Sequence, residues 1–167
     1  TGANNTAVGH QSLYANTTAS NNTALGYFAL KANTTGASNT ALGYAALNSN
    51  TTGGGNVALG YQAGTDTVAL TTGDNNILIG INAHTSAVDS SNQIVIGQSI
   101  AGGEDNQLTF GKTSNTMQNE FDTDNAWTQS SDVRKKKNIE DAVLGLDFVN
   151  DLRPVTYEWK PNYEFPK

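Results

Sequence analysis

The sequence predicts an all-β chain: a parallel β-solenoid of about seven coils of about 17 residues, closed by a short C-terminal segment of one helix and one strand (α+β). Three observations predict it: a hexapeptide recurring at nearly constant spacing, a composition dominated by turn formers, and an abrupt step in charge near residue 131. Asn and Thr occur 21 times each and Gly 17 times, so three residue types fill 59 of 167 positions. The chain carries 9 basic and 15 acidic side chains, a net charge of −6. That balance argues against a nucleic-acid or anionic-membrane partner, because phosphate binding needs a basic surface. No apolar run approaches ~18 residues and no basic-then-apolar leader opens the chain, so neither membrane insertion nor a signal peptide is expected. Without cysteine there is no disulfide and no thiolate metal site.

The repeat comes first in the chain. Asn22-Thr-Ala-Leu-Gly26-Tyr27, Asn39-Thr-Ala-Leu-Gly43-Tyr44 and Asn56-Val-Ala-Leu-Gly60-Tyr61 are near copies, preceded by the weaker Asn5-Thr-Ala-Val-Gly9-His10. Asn76-Ile-Leu-Ile-Gly80, Gln93-Ile-Val-Ile-Gly97 and Gln107-Leu-Thr-Phe-Gly111 follow. The glycines lie 17, 17, 17, 20, 17 and 14 residues apart. A unit this short cannot hold a helix pair, but it fits one coil of a solenoid with a short strand and glycine- or asparagine-marked turns. Seven coils stacked at ~4.8 Å would span about 33 Å. Asn4-Asn5, Asn21-Asn22 and Asn75-Asn76 recur at one corner, where stacked amides can bond coil to coil and Asn tolerates positive φ. The threonine pairs 17-18, 34-35, 51-52 and 71-72 mark the loop after each apolar segment.

Alternate strand residues face opposite sides. One side carries Val8, Leu25, Leu42, Leu59, Ile79, Ile96 and Phe110; the other carries Ala7, Ala24, Ala41, Ala58, Leu78 and Val95 with the glycines. Neither row is polar. A solenoid needs one inward face, so the second predicts a partner, and a threefold homotrimer would bury both. A wide monomeric solenoid with strands buried on both sides is the alternative.

The Asn-Thr-Ala-Leu-Gly-Tyr pattern resembles the head repeat of trimeric autotransporter adhesins (the YadA-like left-handed β-roll), and still more the longer-loop repeat of bacteriophage tail fibres and tailspikes. The resemblance covers residues 1–112 and implies an intertwined trimer of parallel, left-handed β-rolls on a virion or cell surface. It also implies a host cell-surface receptor and other tail proteins as partners, and an extracellular, virion location.

Residues 113–130 lack the repeat and read as a connector, with extended strands of three chains wound together. Residues 1–130 contain two basic and eight acidic side chains, against seven of each in 131–167. Asn138 is placed to cap a helix whose Ile139, Val143, Leu146, Val149 and Leu152 follow helical spacing, with Asp141 at the third helical position. Arg153-Pro154 ends it, and Val155, Tyr157 and Trp159 then alternate as in a half-buried strand.

This stretch resembles the opening of the endosialidase-type intramolecular chaperone domain, also classed as a peptidase family. The shared residues are Ser131, Asp132, Arg134, Lys136, Asn138 and Ile139, then Leu152, Pro154, Val155, Tyr157, Trp159 and Lys160. The resemblance implies a domain that trimerises, guides folding of the fibre ahead of it and cuts itself free at Ser131-Asp132, with Ser131 and Lys136 as a catalytic dyad. Such a lysine takes the serine proton only as the neutral amine, so its pKa must fall from ~10.4 toward neutrality. Lys135 and Lys137 supply repulsion of the required sign, or form a solvated charge run. Five residues is about 140° around a helix, so the pair would meet only through a turn or a neighbouring chain. The family's domain continues well past the stretch matched here, with a further histidine-bearing region, so self-cleavage is not expected of this chain. No substrate-directed enzyme is predicted.

The remaining signals have plain readings. His10 and His84 lack spaced metal-ligating partners and read as surface or groove residues, His10 as a rung of the Tyr27, Tyr44, Tyr61 row. That row is a candidate glycan contact through apolar stacking, or a packing ladder. Gly53-Gly-Gly55 lacks the lysine and helix of a phosphate loop. Asn16-Thr-Thr18 matches a glycosylation acceptor through repeat composition alone. Asp66, Asp74, Asp89, Glu104 and Asp105 fit no calcium cage and read as surface solvation. No cofactor is expected. The sequence thus reads as a trimeric shaft, residues 1–112, a connector, 113–130, and the N-terminal part of a chaperone domain, 131–167. Together they suit a structural or receptor-binding tail-fibre component. A bacterial adhesin head is the alternative, and an ice-binding solenoid, suggested by the paired threonines, a further one.

Overall fold

A computed structural model describes residues 2–121 and the strand residues 128–129. The chain divides into two units, Thr1–Ser131 and Asp132–Lys167, and the described residues all belong to the first. The helix and strand expected after residue 131, and the Ser131–Lys136 pair, lie outside them.

The described residues form an all-β solenoid without a helix. Seven strands stack in parallel: β1 (Thr6–Val8), β2 (Thr23–Leu25), β3 (Thr40–Leu42), β4 (Val57–Leu59), β5 (Ile77–Ile79), β6 (Ile94–Gln98) and β7 (Gln107–Lys112). They bound six turns of the solenoid. The register is that of the repeat: Ala7 pairs with Ala24, then Ala41, Ala58, Leu78, Val95 and Thr109 in succession. Departures from 17 residues are absorbed in the loops and leave the strands aligned.

Each coil follows one backbone recipe. The corner residue before the strand takes a left-handed conformation, at Asn4, Asn21, Ser38, Gly55, Asn75, Asn92 and Asn106. Asn and Gly adopt this conformation at least cost. The glycine ending each apolar segment has φ between 130° and 150°, and a Cβ at Gly43 would land on the carbonyl oxygen of Gly60 in the next coil. In the first four coils two further left-handed residues fold the turn back, as at Phe28 and Leu30 or Ala45 and Leu47; in the next two a single one does, Asn82 or Ser99.

The core is narrow. Ala24, Ala41, Ala58, Leu78, Val95 and Thr109 point inward and are fully buried, opposed by the buried turn residues Leu13, Leu30, Leu47 and Leu70. A turn row running Leu13, Leu30, Leu47, Gly64, His84 follows from the backbone bonds of each member to the coil above. Where Gly64 breaks that row, Leu78 replaces alanine in the facing strand, and a Cβ on Gly64 would lie 3.0 Å from Leu78 Cδ1.

Buried asparagines tie the coils together. The backbone N–H of Asn22 donates to Asn5 Oδ1, that of Asn39 to Asn22, Asn56 to Asn39, Asn76 to Asn56, and Gln93 to Asn76, each at 2.9 Å. A second row, Asn16, Asn33 and Asn50, runs parallel to it. Asn22 and Asn33 both donate their side-chain amides to Gly36 O, at 3.0 and 2.9 Å, and Asn39 and Asn50 both donate to Gly53 O, each at 2.9 Å. The first threonine of each pair joins in, with Thr34 Oγ1 donating to Thr51 O and Thr51 Oγ1 to Thr71 O, both at 3.0 Å. These ladders give the wall its regularity without charge.

Within the stretch read as a connector, two further strands are described. Residues 115–120 form β8 (Asn115–Glu120), which returns antiparallel along β7 of the same chain, and β9 (Thr128–Gln129) pairs antiparallel with β8. The two-residue Thr113-Ser114 loop, with Thr113 at φ 51°, reverses the chain. This hairpin ends the parallel stack.

Candidate functional site

The outward face of the sheet is the surface the strands build for an outside contact. Strand alternation leaves the residues on either side of each buried alanine pointing to solvent. One outward column contains Thr6, Thr23, Thr40, Val57, Ile77, Ile94 and Leu108; the next contains Val8, Leu25, Leu42, Leu59, Ile79, Ile96 and Phe110. Val8 is 55% exposed, and Leu25, Leu42, Leu59 and Ile96 are 40–44% exposed. An apolar stripe of this length on a single chain is unusual, since contiguous exposed patches on monomers are generally small and mark contact sites. Of the two apolar rows read from the sequence, the alanine row lines the thin interior and the leucine row lies outside.

A third column follows the strand glycines. His10, Tyr27, Tyr44 and Tyr61 stack ring on ring, with centroids 4.9, 5.4 and 5.1 Å apart and planes within 13°. His10 is therefore a rung of the tyrosine row, as its place in the repeat predicts. Phe28 packs on Tyr27 at 4.0 Å, and Lys31 Nζ lies 4.2 Å from the Phe28 ring centroid. Stacking occupies ring faces, so the row presents phenol edges to solvent. Tyr27 and Tyr44 each lie between two stacked rings, whereas Tyr61, at the end of the row, stacks on Tyr44 alone among the described residues.

His84 differs from the surface role read for it. It is 7% exposed because the 20-residue coil shifts the register and sets it on the inward turn row after Gly64. Its Nδ1 lies 3.0 Å from Asn82 O, and its Nε2 lies 2.9 Å from Thr67 Oγ1. Since a carbonyl only accepts, Nδ1 carries the proton in the neutral ring. Asp66 stands 3.9 Å from Nδ1. Two of the loop acids accept backbone bonds from a neighbouring coil: Asp74 Oδ1 accepts from Gly54 N at 2.6 Å and Asp105 Oδ1 from Ser91 N at 2.9 Å. Asp89, Glu104 and Asp105 line a shallow polar recess with Ser86 and Ser90. Among the described residues, no three His, Asp or Glu side chains gather as a metal site, and no helix is long and apolar enough to cross a membrane.

Residues 131–166 match the family model described as chaperone of endosialidase. No curated protein and no solved structure matches the chain.

Proposed function

We propose that the chain is a shaft piece of a bacteriophage tail fibre or tailspike, exposed on the virion and built from three copies that pack through the outward leucine column. The observation that carries this reading is the unpartnered apolar stripe from Val8 to Ile96 on a solenoid in the same chain as the chaperone match at 131–166. A repeating stripe is best covered by a surface with the same rise per coil, and another copy of the same chain has that rise at every rung. Covering the two fifths of each leucine still exposed in this column stabilises by about 0.6–1.3 kcal/mol, repeated down the shaft. The role is mechanical: a stiff, disulfide-free rod that carries host-surface contacts, with residues 131–166 assisting its folding and trimerisation. Receptor contact, glycan included, belongs to this proposal as a property of the assembled fibre and its exposed loops.

The test is sedimentation or light scattering of the chain at micromolar concentration. The expected mass is three times 17.5 kDa. Leu42→Asp with Leu59→Asp should convert it to a single copy with its β-sheet circular dichroism retained. A well-folded wild-type monomer would overturn the reading.

A further inference from the structure

Tyr27, Tyr44 and Tyr61 hold their rings in register on successive coils, 5.4 and 5.1 Å apart at the centroids and within 10° of parallel. Each is 42–48% exposed, so each side chain is open to a small oxidant. Tyr14, at 71%, is the most exposed tyrosine among the described residues, but it stands outside the row and has no ring partner among those residues. Among the described residues proximity and exposure therefore separate, and only the row has both.

We propose that this row is a site of oxidative cross-linking, in which a dityrosine bond joins neighbouring coils under a peroxide and a one-electron peroxidase catalyst. Each phenol gives up one electron and its hydroxyl proton, leaving a radical whose spin is shared between the oxygen and the Cε carbons. Two such radicals pair their electrons in one Cε–Cε bond. Each ring then sheds its Cε proton and its phenol is restored. Two tyrosines lose two hydrogen atoms in all, and one hydrogen peroxide is reduced to two waters. The stack meets the main requirement, because a radical pairs only with one formed within reach in its lifetime, and each ring has its partner beside it. Tyr44 is the shared member, flanked on both sides, and the product is a covalent staple across a 17-residue coil in a chain that has no cysteine.

The experiment treats the whole chain, at low concentration, with hydrogen peroxide and a haem peroxidase. Dityrosine fluorescence, intact mass and peptide mapping are read. The expected result is a chain lighter by two hydrogens, with the link mapped to Tyr27–Tyr44 or Tyr44–Tyr61 within one chain. Tyr44→Phe should abolish that species, because Tyr27 and Tyr61 then stand roughly 10 Å apart, two coils away, while phenylalanine keeps the stack. Tyr14→Phe should leave the yield unchanged. Links that map to Tyr14, Tyr157 or Tyr163, links found only between chains, a yield that survives Tyr44→Phe, or absence of dityrosine in a folded chain would each overturn the proposal.

Discussion

The side-chain amide of Asn50 donates to Asn33 Oδ1 at 3.0 Å, while the Oδ1 of Asn50 is buried without a partner among the described residues. The row Asn16, Asn33, Asn50 ends there because the next coil places Leu70 at the same position, one residue before Thr71. Asn33→Leu removes bonds on both sides of the row and should cost about 2–3 kcal/mol. Asn50→Leu loses donors only and also removes an orphaned acceptor, so it should cost about 1 kcal/mol less. Urea unfolding of the two variants, compared with wild type, measures the difference.

Thr109 is the seventh inward rung, fully buried, and its hydroxyl has no hydrogen-bond partner among the described residues. Thr109→Val keeps the shape and β-branching while discarding the stranded hydroxyl. It should raise stability by about 1 kcal/mol, visible as a higher melting temperature.

Gly43→Ala should be among the most damaging small changes in the shaft. Its φ of 140° is one that L side chains avoid, and the new Cβ meets the Gly60 backbone, which no rotamer change can move. A loss of about 3 kcal/mol is expected. At Gly54, which is outside the left-handed region, a Cβ would approach Ala37 O at 3.1 Å, and Gly54→Ala should cost about 1 kcal/mol or less. Thermal unfolding of the pair tests the contrast.

Leu78 and Gly64 exchange size between strand and turn, so their substitutions should couple. Leu78→Ala alone opens a cavity and should cost about 2–5 kcal/mol. The conformation at Gly64 (φ 77°) belongs to the same left-handed region as that at Leu13, Leu30 and Leu47 (φ 51°, 51° and 49°), so the backbone there accepts leucine; alanine at 78 removes the Cδ1 at 3.0 Å, and the flexible end of Leu47, whose Cδ2 lies 2.7 Å from the new Cβ, must also shift. Gly64→Leu combined with Leu78→Ala copies the earlier coils and should recover about 1–2 kcal/mol of that loss in a double-mutant cycle.

The strands and their register were legible because an Asn- or Gln-led apolar segment ending in glycine marks every rung from Asn5 to Gln107, and the corner asparagines because Asn pairs recur at 4-5, 21-22 and 75-76. Which apolar row lies inside was not legible: alternation treats Ala41 and Leu42 alike, and only the small width of the coil decides for alanine. The Asn16, Asn33, Asn50 row was hidden inside Asn-Thr-Thr segments that resemble loop composition. Its signal is the Ala19, Gly36 or Gly53 three residues later, whose carbonyl the amide meets. His84 escaped because the coil after Gly60 is three residues longer, and counting from Gly64 by 20 rather than 17 puts it on the inward row. The β8 return was obscured by a Thr113-Ser114 loop that carries none of the usual hairpin residues. Ser131 and Lys136, the expected dyad, lie outside the described residues.

The register of the strands, Thr23 over Thr40 and Ala24 over Ala41, has a genetic consequence. Excising residues 23–39 joins Asn22 to Thr40 and returns every row of the shaft to its place one coil shorter; duplicating the same block lengthens it by one. Unequal recombination between near-identical repeats can therefore adjust the length of the solenoid in steps of one coil without having to reinvent a fold.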